Sequence, residues 1–210
     1  HYDQLLTSGE LAYHHFKQMA ATSSRQYRYF LLGNDEYGFL KSLKLTSTQQ
    51  IEKADLMIMI GFNLSLKLSA EASQQIFKQA RQGLAWQLPF YCLNPDQYIV
   101  KISGLKEPCA GLVANDYKAA GGKVIYFGKP DYYGYQQILA NFPQIDKKRI
   151  LAIGDNFEAD ILGAKQAGLS SLLIVSDLTL LQLQDNPTKL AKSQYYCFQF
   201  GDDEISHRLK

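Results

Sequence analysis

Apolar residues in this chain come in short runs that stop at Gly, Asn or Asp, and the same punctuation recurs along most of its length. Tyr29-Phe30-Leu31-Leu32 ends at Gly33-Asn34-Asp35, Asp55 to Gly61 is apolar on both faces, and Pro89 to Leu93 stops at Asn94-Pro95-Asp96. Continuous apolar runs bounded by turn residues predict strands buried in a parallel sheet, because such strands are covered on both sides. Between two of them, Leu68 to Gly83 places Ala72, Ile76, Phe77 and Ala80 at helical spacing, with a glycine to close the helix. The second half repeats the rhythm. Lys123 to Phe127 runs into Gly128-Lys129-Pro130, Tyr132 to Asn141 predicts a helix ending near Pro143, and Arg149 to Ile153 runs into Gly154-Asp155-Asn156. A helix is predicted from about Ala159 to Ala167 with Gly168 as its cap, then a strand over Ser171 to Val175 before Ser176-Asp177. Strands alternating with helices predict an α/β fold with a mostly parallel sheet, and such sheets bind ligands beyond the carboxyl ends of their strands. Lys129 and Asp155 both stand at strand ends.

Composition narrows the function classes. Lys and Arg number 22 against 20 Asp and Glu, with no basic run, which argues against a nucleic-acid partner. No stretch approaches the roughly 18 apolar residues of a membrane span. Cys92, Cys109 and Cys197 form no CxxC, so neither a disulfide framework nor a zinc site is suggested, and a reduced, cytoplasmic setting is expected. The chain opens His1-Tyr2-Asp3 without Met or a signal-peptide core, and the expectation is that something upstream has been removed or left out.

Chemistry concentrates between Ile150 and Gly168. An apolar strand delivers Asp155 at its tip and Asp160 follows five residues later, a pair that suits a hard cation such as Mg²⁺. Asp155 reads equally as a turn former and Asp160 as a helix N-terminal charge. Lys129, between Gly128 and Pro130, is placed to neutralise a phosphoryl oxygen, yet an isolated charged residue usually sits on solvated surface. Asn94-Pro95-Asp96 is good turn chemistry whatever else it does. His14, His15 and His207 have no spacing for a metal, and Tyr132 to Tyr135 and Tyr195-Tyr196 read first as packing residues, second as a stacking surface.

Taken together, the order strand, GKP, helix, strand, GDxxxxD resembles motifs three and four of the haloacid dehalogenase (HAD) superfamily. Upstream, ADLMIMIGFN, FYCLNPD and CAGLVANDYKAAGGKVIYFGKP look like subclass IIA, in which a large α/β cap is inserted between motifs two and three, and Thr7-Ser8-Gly9-Glu10 resembles the helix start before that cap. The resemblance implies a Mg²⁺-dependent phosphatase acting on a small phosphorylated metabolite through an aspartyl-phosphate. It implies residues 1–26 and 121–210 as a Rossmann-like core and 27–120 as the cap. Lys129 matches the catalytic lysine, Asp155 and Asp160 the metal-site carboxylates, and Asn94 and Asp96 a cap loop facing the substrate. Asn156 stands where the subclass often has Arg, which implies altered phosphate contacts.

The first two motifs of the family, a DxD at a strand end and a strand ending in Ser or Thr, have no match. Asp3 has neither an apolar strand before it nor a second Asp two residues on. The strand at Ile150 to Ile153 is then expected at a sheet edge unless a second copy of the chain, the missing N-terminal segment or a rearrangement covers it. The expectation is an N-terminally truncated and by itself inactive phosphatase chain. The competing reading is a HAD-like binding or regulatory protein without catalysis. A generic dinucleotide-binding domain is disfavoured because no GxGxxG follows a first strand.

Overall fold

In a computed structural model the described residues are 5–35, 38–62, 70–100, 106–175, 179–180 and 195–197. Asp3, His207, the Ser176-Asp177 turn and the start of the helix expected from Leu68 lie outside them. The chain divides into two compact units, His1–Gly128 and Lys129–Lys210.

The first unit opens with α1 (Ser8–Thr22), fixed at its start by a reciprocal cap. The Thr7 hydroxyl accepts from the Glu10 amide at 3.1 Å and the Glu10 carboxylate accepts from the Thr7 amide at 3.0 Å. The strands β1 (Arg28–Leu32), β2 (Thr46–Ser47) and β3 (Leu56–Met59) follow, then α2 (Ala70–Gln82), which tightens into a 3₁₀ turn over Gly83–Trp86. After β4 (Phe90–Cys92) come an antiparallel hairpin of β5 (Tyr98–Val100) and β6 (Lys106–Pro108), the helix α3 (Ala110–Ala119) and β7 (Val124–Tyr126). The main sheet is parallel throughout, in the order β2-β1-β3-β4-β7. All four residues of β3 are buried, as expected of an apolar run in the middle of such a sheet. Phe30, Met57, Met59, Phe90, Val113 and Tyr117 belong to one buried cluster. Within it the Tyr117 hydroxyl donates to the Leu88 carbonyl at 2.7 Å, which satisfies the one polar atom the ring brings inside.

Two contacts hold the ends of the first unit. β7 pairs with β4 in the register Phe90↔Val124, so it extends the first unit's sheet. Phe16 of α1 packs on Tyr91 and Phe127, with ring centroids 5.1 and 6.1 Å away, so the opening helix packs with that unit as well.

The second unit holds α4 (Tyr132–Ala140), β8 (Leu151–Gly154), α5 (Leu162–Ala167), β9 (Ser170–Ile174) and β10 (Tyr195–Cys197). Its parallel sheet runs β10-β9-β8. Among the described residues β8 is an edge strand, and Leu151 and Ile153 are about half exposed there, at 47% and 51%. The Asp131 carboxylate caps α4 by accepting from the Tyr133 amide at 2.9 Å. Gly168 ends α5 with φ of 71°, the left-handed cap the sequence predicts. The Lys147 ammonium donates to the Ala167 carbonyl at 3.0 Å, a cation on the negative end of that helix.

Candidate functional site

The end of β8 is where the second unit gathers its polar groups. The helix predicted from Ala159 begins earlier, as a π turn over Phe157–Ile161 that leads into α5. Asn156 is the cause. Its side-chain oxygen accepts from the Glu158 and Ala159 amides at 3.0 and 3.1 Å, so the backbone turns immediately after the strand. That turn brings Asp160 back over Gly154. A Cβ on Gly154 would lie 2.2 Å from the Asp160 carboxyl carbon, so a strand residue with any side chain would displace the carboxylate.

Both oxygens of this buried carboxylate have partners. Oδ1 accepts from the Lys129 ammonium at 2.5 Å and Oδ2 from the Asn156 backbone amide at 3.0 Å. The lysine side chain is 58% exposed and the aspartate side chain 10%, so the ammonium spans from solvent to a sheltered anion. A cation–carboxylate contact with one open end can take a second anion on the solvent side. Phe157, Ile161 and Leu173 form a small apolar cluster in the same unit, packing the turn against β9.

Two further bonds fix this arrangement. The Tyr135 hydroxyl on α4 donates to the Asp160 carbonyl at 3.2 Å. Partial burial, and then the nearby Asp160 charge, push the phenol up to about 12, so it stays protonated at neutral pH. The Thr179 hydroxyl, fully buried, lies 2.6 Å from the Asp155 carbonyl and 2.9 Å from the Ile174 carbonyl, and ties the residue after β8 to the end of β9.

Of the sequence-predicted residues, Lys129, Asn156 and Asp160 are in direct contact, and Asp155 stands at the adjoining strand end. The Asn156 side-chain oxygen caps the turn and its backbone amide holds Asp160. Asn94 and Asp96 lie in the first unit, in the loop after β4. There the Asn94 side-chain oxygen accepts from the Asp96 amide at 3.3 Å and the Asp96 carbonyl accepts from the Gly111 amide at 3.0 Å. This is the turn chemistry their sequence offers. Among the described residues no three His, Cys, Asp or Glu side chains come together as a metal cluster, and no helix is long and apolar enough to cross a membrane.

The HAD-hydrolase-like family model matches residues 126–194, the stretch that contains Lys129, Asp155 and Asp160. That stretch is of the haloacid dehalogenase hydrolase type. It is similar to the ribonucleotide monophosphatase NagD of Escherichia coli K12, at 34% identity over 92 residues, which is 44% of this chain and 35% of NagD. Human chronophin is 31% identical over 93 residues, covering 44% of this chain and 30% of chronophin. A HAD-like hydrolase structure from Brucella suis 1330 superposes with a TM-score of 0.68 at 26% identity, covering 85% of this chain and 66% of that one. The matches to NagD and chronophin thus span about a third of those relatives.

Within the matched stretch the spacing of residues 155 and 160 points to the carboxylates, whereas nothing local in sequence marks Tyr135 or Thr179. Each acts on a backbone carbonyl about 25 residues away. A tyrosine three residues beyond the start of a helix that follows GKP is the one cue available for Tyr135.

Proposed function

We propose that this chain carries the phosphate- and metal-handling groups of a Mg²⁺-dependent phosphomonoester hydrolase. The observation that carries the reading is the Lys129–Asp160 contact at the end of β8, beside Asp155. In the reaction this assigns, an aspartate carboxylate attacks phosphorus, the bond to the substrate oxygen breaks and that oxygen takes a proton. Water then hydrolyses the aspartyl-phosphate. No aspartate matching the family nucleophile occurs within the 210 residues, so the reaction takes its nucleophile from outside them, and this chain by itself is inactive.

Lys129 meets a transferring phosphoryl oxygen with its exposed ammonium while Asp160 fixes the other side of that ammonium. Asp155 would hold Mg²⁺ directly and Asp160 would support it directly or through water. Their oxygens are the hard donors Mg²⁺ prefers, and a few carboxylates with waters and a phosphate complete its usual shell. The close fit of Asp160 over Gly154 supports this assignment, since it aims a sheltered carboxylate at the strand end. The ion supplies charge neutralisation for the phosphoryl group. Asn156 acts as a positioning group, through its amide and its capping oxygen.

Residues 27–120 are assigned as the cap, with Asn94 and Asp96 facing the substrate, and a small phosphorylated metabolite as substrate class. The name of NagD, a ribonucleotide monophosphatase, supports phosphate chemistry without selecting a metabolite for this chain. The test is hydrolysis of p-nitrophenyl phosphate by this chain and by the longest product of its gene, with and without Mg²⁺. Turnover by the longer product alone, lost on D155A, is the expected result. Turnover by neither replaces the phosphatase with a ligand-binding HAD relative.

A further inference from the structure

Tyr135 belongs to no motif, yet its contacts converge on Asp160. Its hydroxyl donates to the Asp160 carbonyl at 3.2 Å. Its ring lies against α5 so closely that a Cβ on Gly163 would fall 2.7 Å from the ring's Cε2. The carbonyl it holds sits in the π turn, where backbone bonding is less regular than in an α-helix and the side chain's direction depends on outside support. The short segment from Lys129 to Tyr135 therefore grips Asp160 twice. Lys129, three residues before the helix, takes a carboxylate oxygen, and Tyr135, in its first turn, takes the backbone.

We propose that Tyr135 is a positioning residue, which holds the π turn so that the Asp160 carboxylate faces both Lys129 and a Mg²⁺ ion at the end of β8. This rests on the metal assignment made under the proposed function. Outer groups that orient a ligand typically change metal affinity by about 10- to 100-fold when removed. Asn156 holds the carboxylate from within the same turn and Thr179 holds the Asp155 carbonyl, whereas Tyr135 ties Asp160 to a different helix.

The test is Mg²⁺ titration of the 210-residue chain and its Y135F variant by calorimetry, with the Asn156 amide resonance followed by NMR. That amide donates to Asp160 Oδ2 and so reports where the carboxylate stands. Y135F removes one oxygen and keeps the ring. K147A is the control, since it takes away a bond to the end of α5 without touching Asp160. Expected for Y135F are Mg²⁺ binding about tenfold weaker and a displaced Asn156 resonance, with both unchanged in K147A. Unaltered binding and resonance in Y135F overturn the proposal, as does an equal loss in K147A, which would mean general loosening of the unit. If the unsubstituted chain binds no Mg²⁺, the metal assignment fails by itself. The Asn156 resonance then decides alone whether Tyr135 positions the carboxylate.

Discussion

Lys129 and Asp160 stand 31 residues apart in sequence and 2.5 Å apart in space, one largely in solvent and the other sheltered over a glycine. The asymmetry separates what each contributes. Removing the lysine takes away an exposed partner, and ion pairs of that kind are worth about 0–1 kcal/mol to stability. The same ammonium is the group assigned to an incoming phosphate, where a charge-assisted hydrogen bond is worth about 1.5–3 kcal/mol.

Lys129→Ala is therefore expected to shift the urea midpoint only slightly while weakening inorganic phosphate binding by about tenfold or more. Phosphate titration followed by ³¹P NMR, alongside urea unfolding, measures both. A large stability loss with unchanged phosphate affinity would make the lysine structural.

Gly154→Ala is expected to cost about 1–3 kcal/mol, the range for forcing an extra carbon into a packed site. The added Cβ would sit 2.2 Å from the Asp160 carboxyl carbon and 2.3 Å from its Oδ2, so the carboxylate must leave. Urea unfolding gives the cost. Loss of the Asn156 amide's hydrogen-bonded chemical shift shows where the strain went. A neutral substitution would mean that the contact between strand and turn is loose.

The pH dependence of stability has a third test in the first unit. Burial pushes the Cys92 thiol from 9.0 up to about 12, and the Cys109 thiol is raised for the same first cause. Between about pH 9 and 12 the unfolded chain has lost the Cys92 proton while the folded chain keeps it. The unfolded state then binds fewer protons, so stability falls as pH rises through this window and is fully present below it. Urea midpoints at pH 7.5 and pH 10 are expected to differ, and Cys92→Ala to reduce the difference. The native thiols should also react slowly with disulfide reagents at pH 8, since the thiolate is the attacking form.

How much of this was legible beforehand depends on the range of the interaction concerned. The runs containing Phe30, Ile58, Tyr91, Ile125 and Leu172 are all strands in the structure, because burial on both faces leaves a continuous apolar signature. The GDxxxxD spacing pointed to Asp160 because strand, turn and carboxylate lie within seven residues. What sequence hid was set by partners far along the chain. Val124 pairs with Phe90, Tyr135 reaches a carbonyl on another helix, and Thr179 reaches the carbonyl of Asp155. The hairpin of Tyr98–Val100 with Lys106–Pro108 is too short to leave a periodicity of its own.

Every bond described around Asp155 and Asp160 closes between residues 129 and 179. These contacts are thus written into one uninterrupted stretch of about fifty residues, downstream of the whole first unit. Every partner in the network is carried by the second unit alone, so a substitution upstream of Gly128 removes none of them.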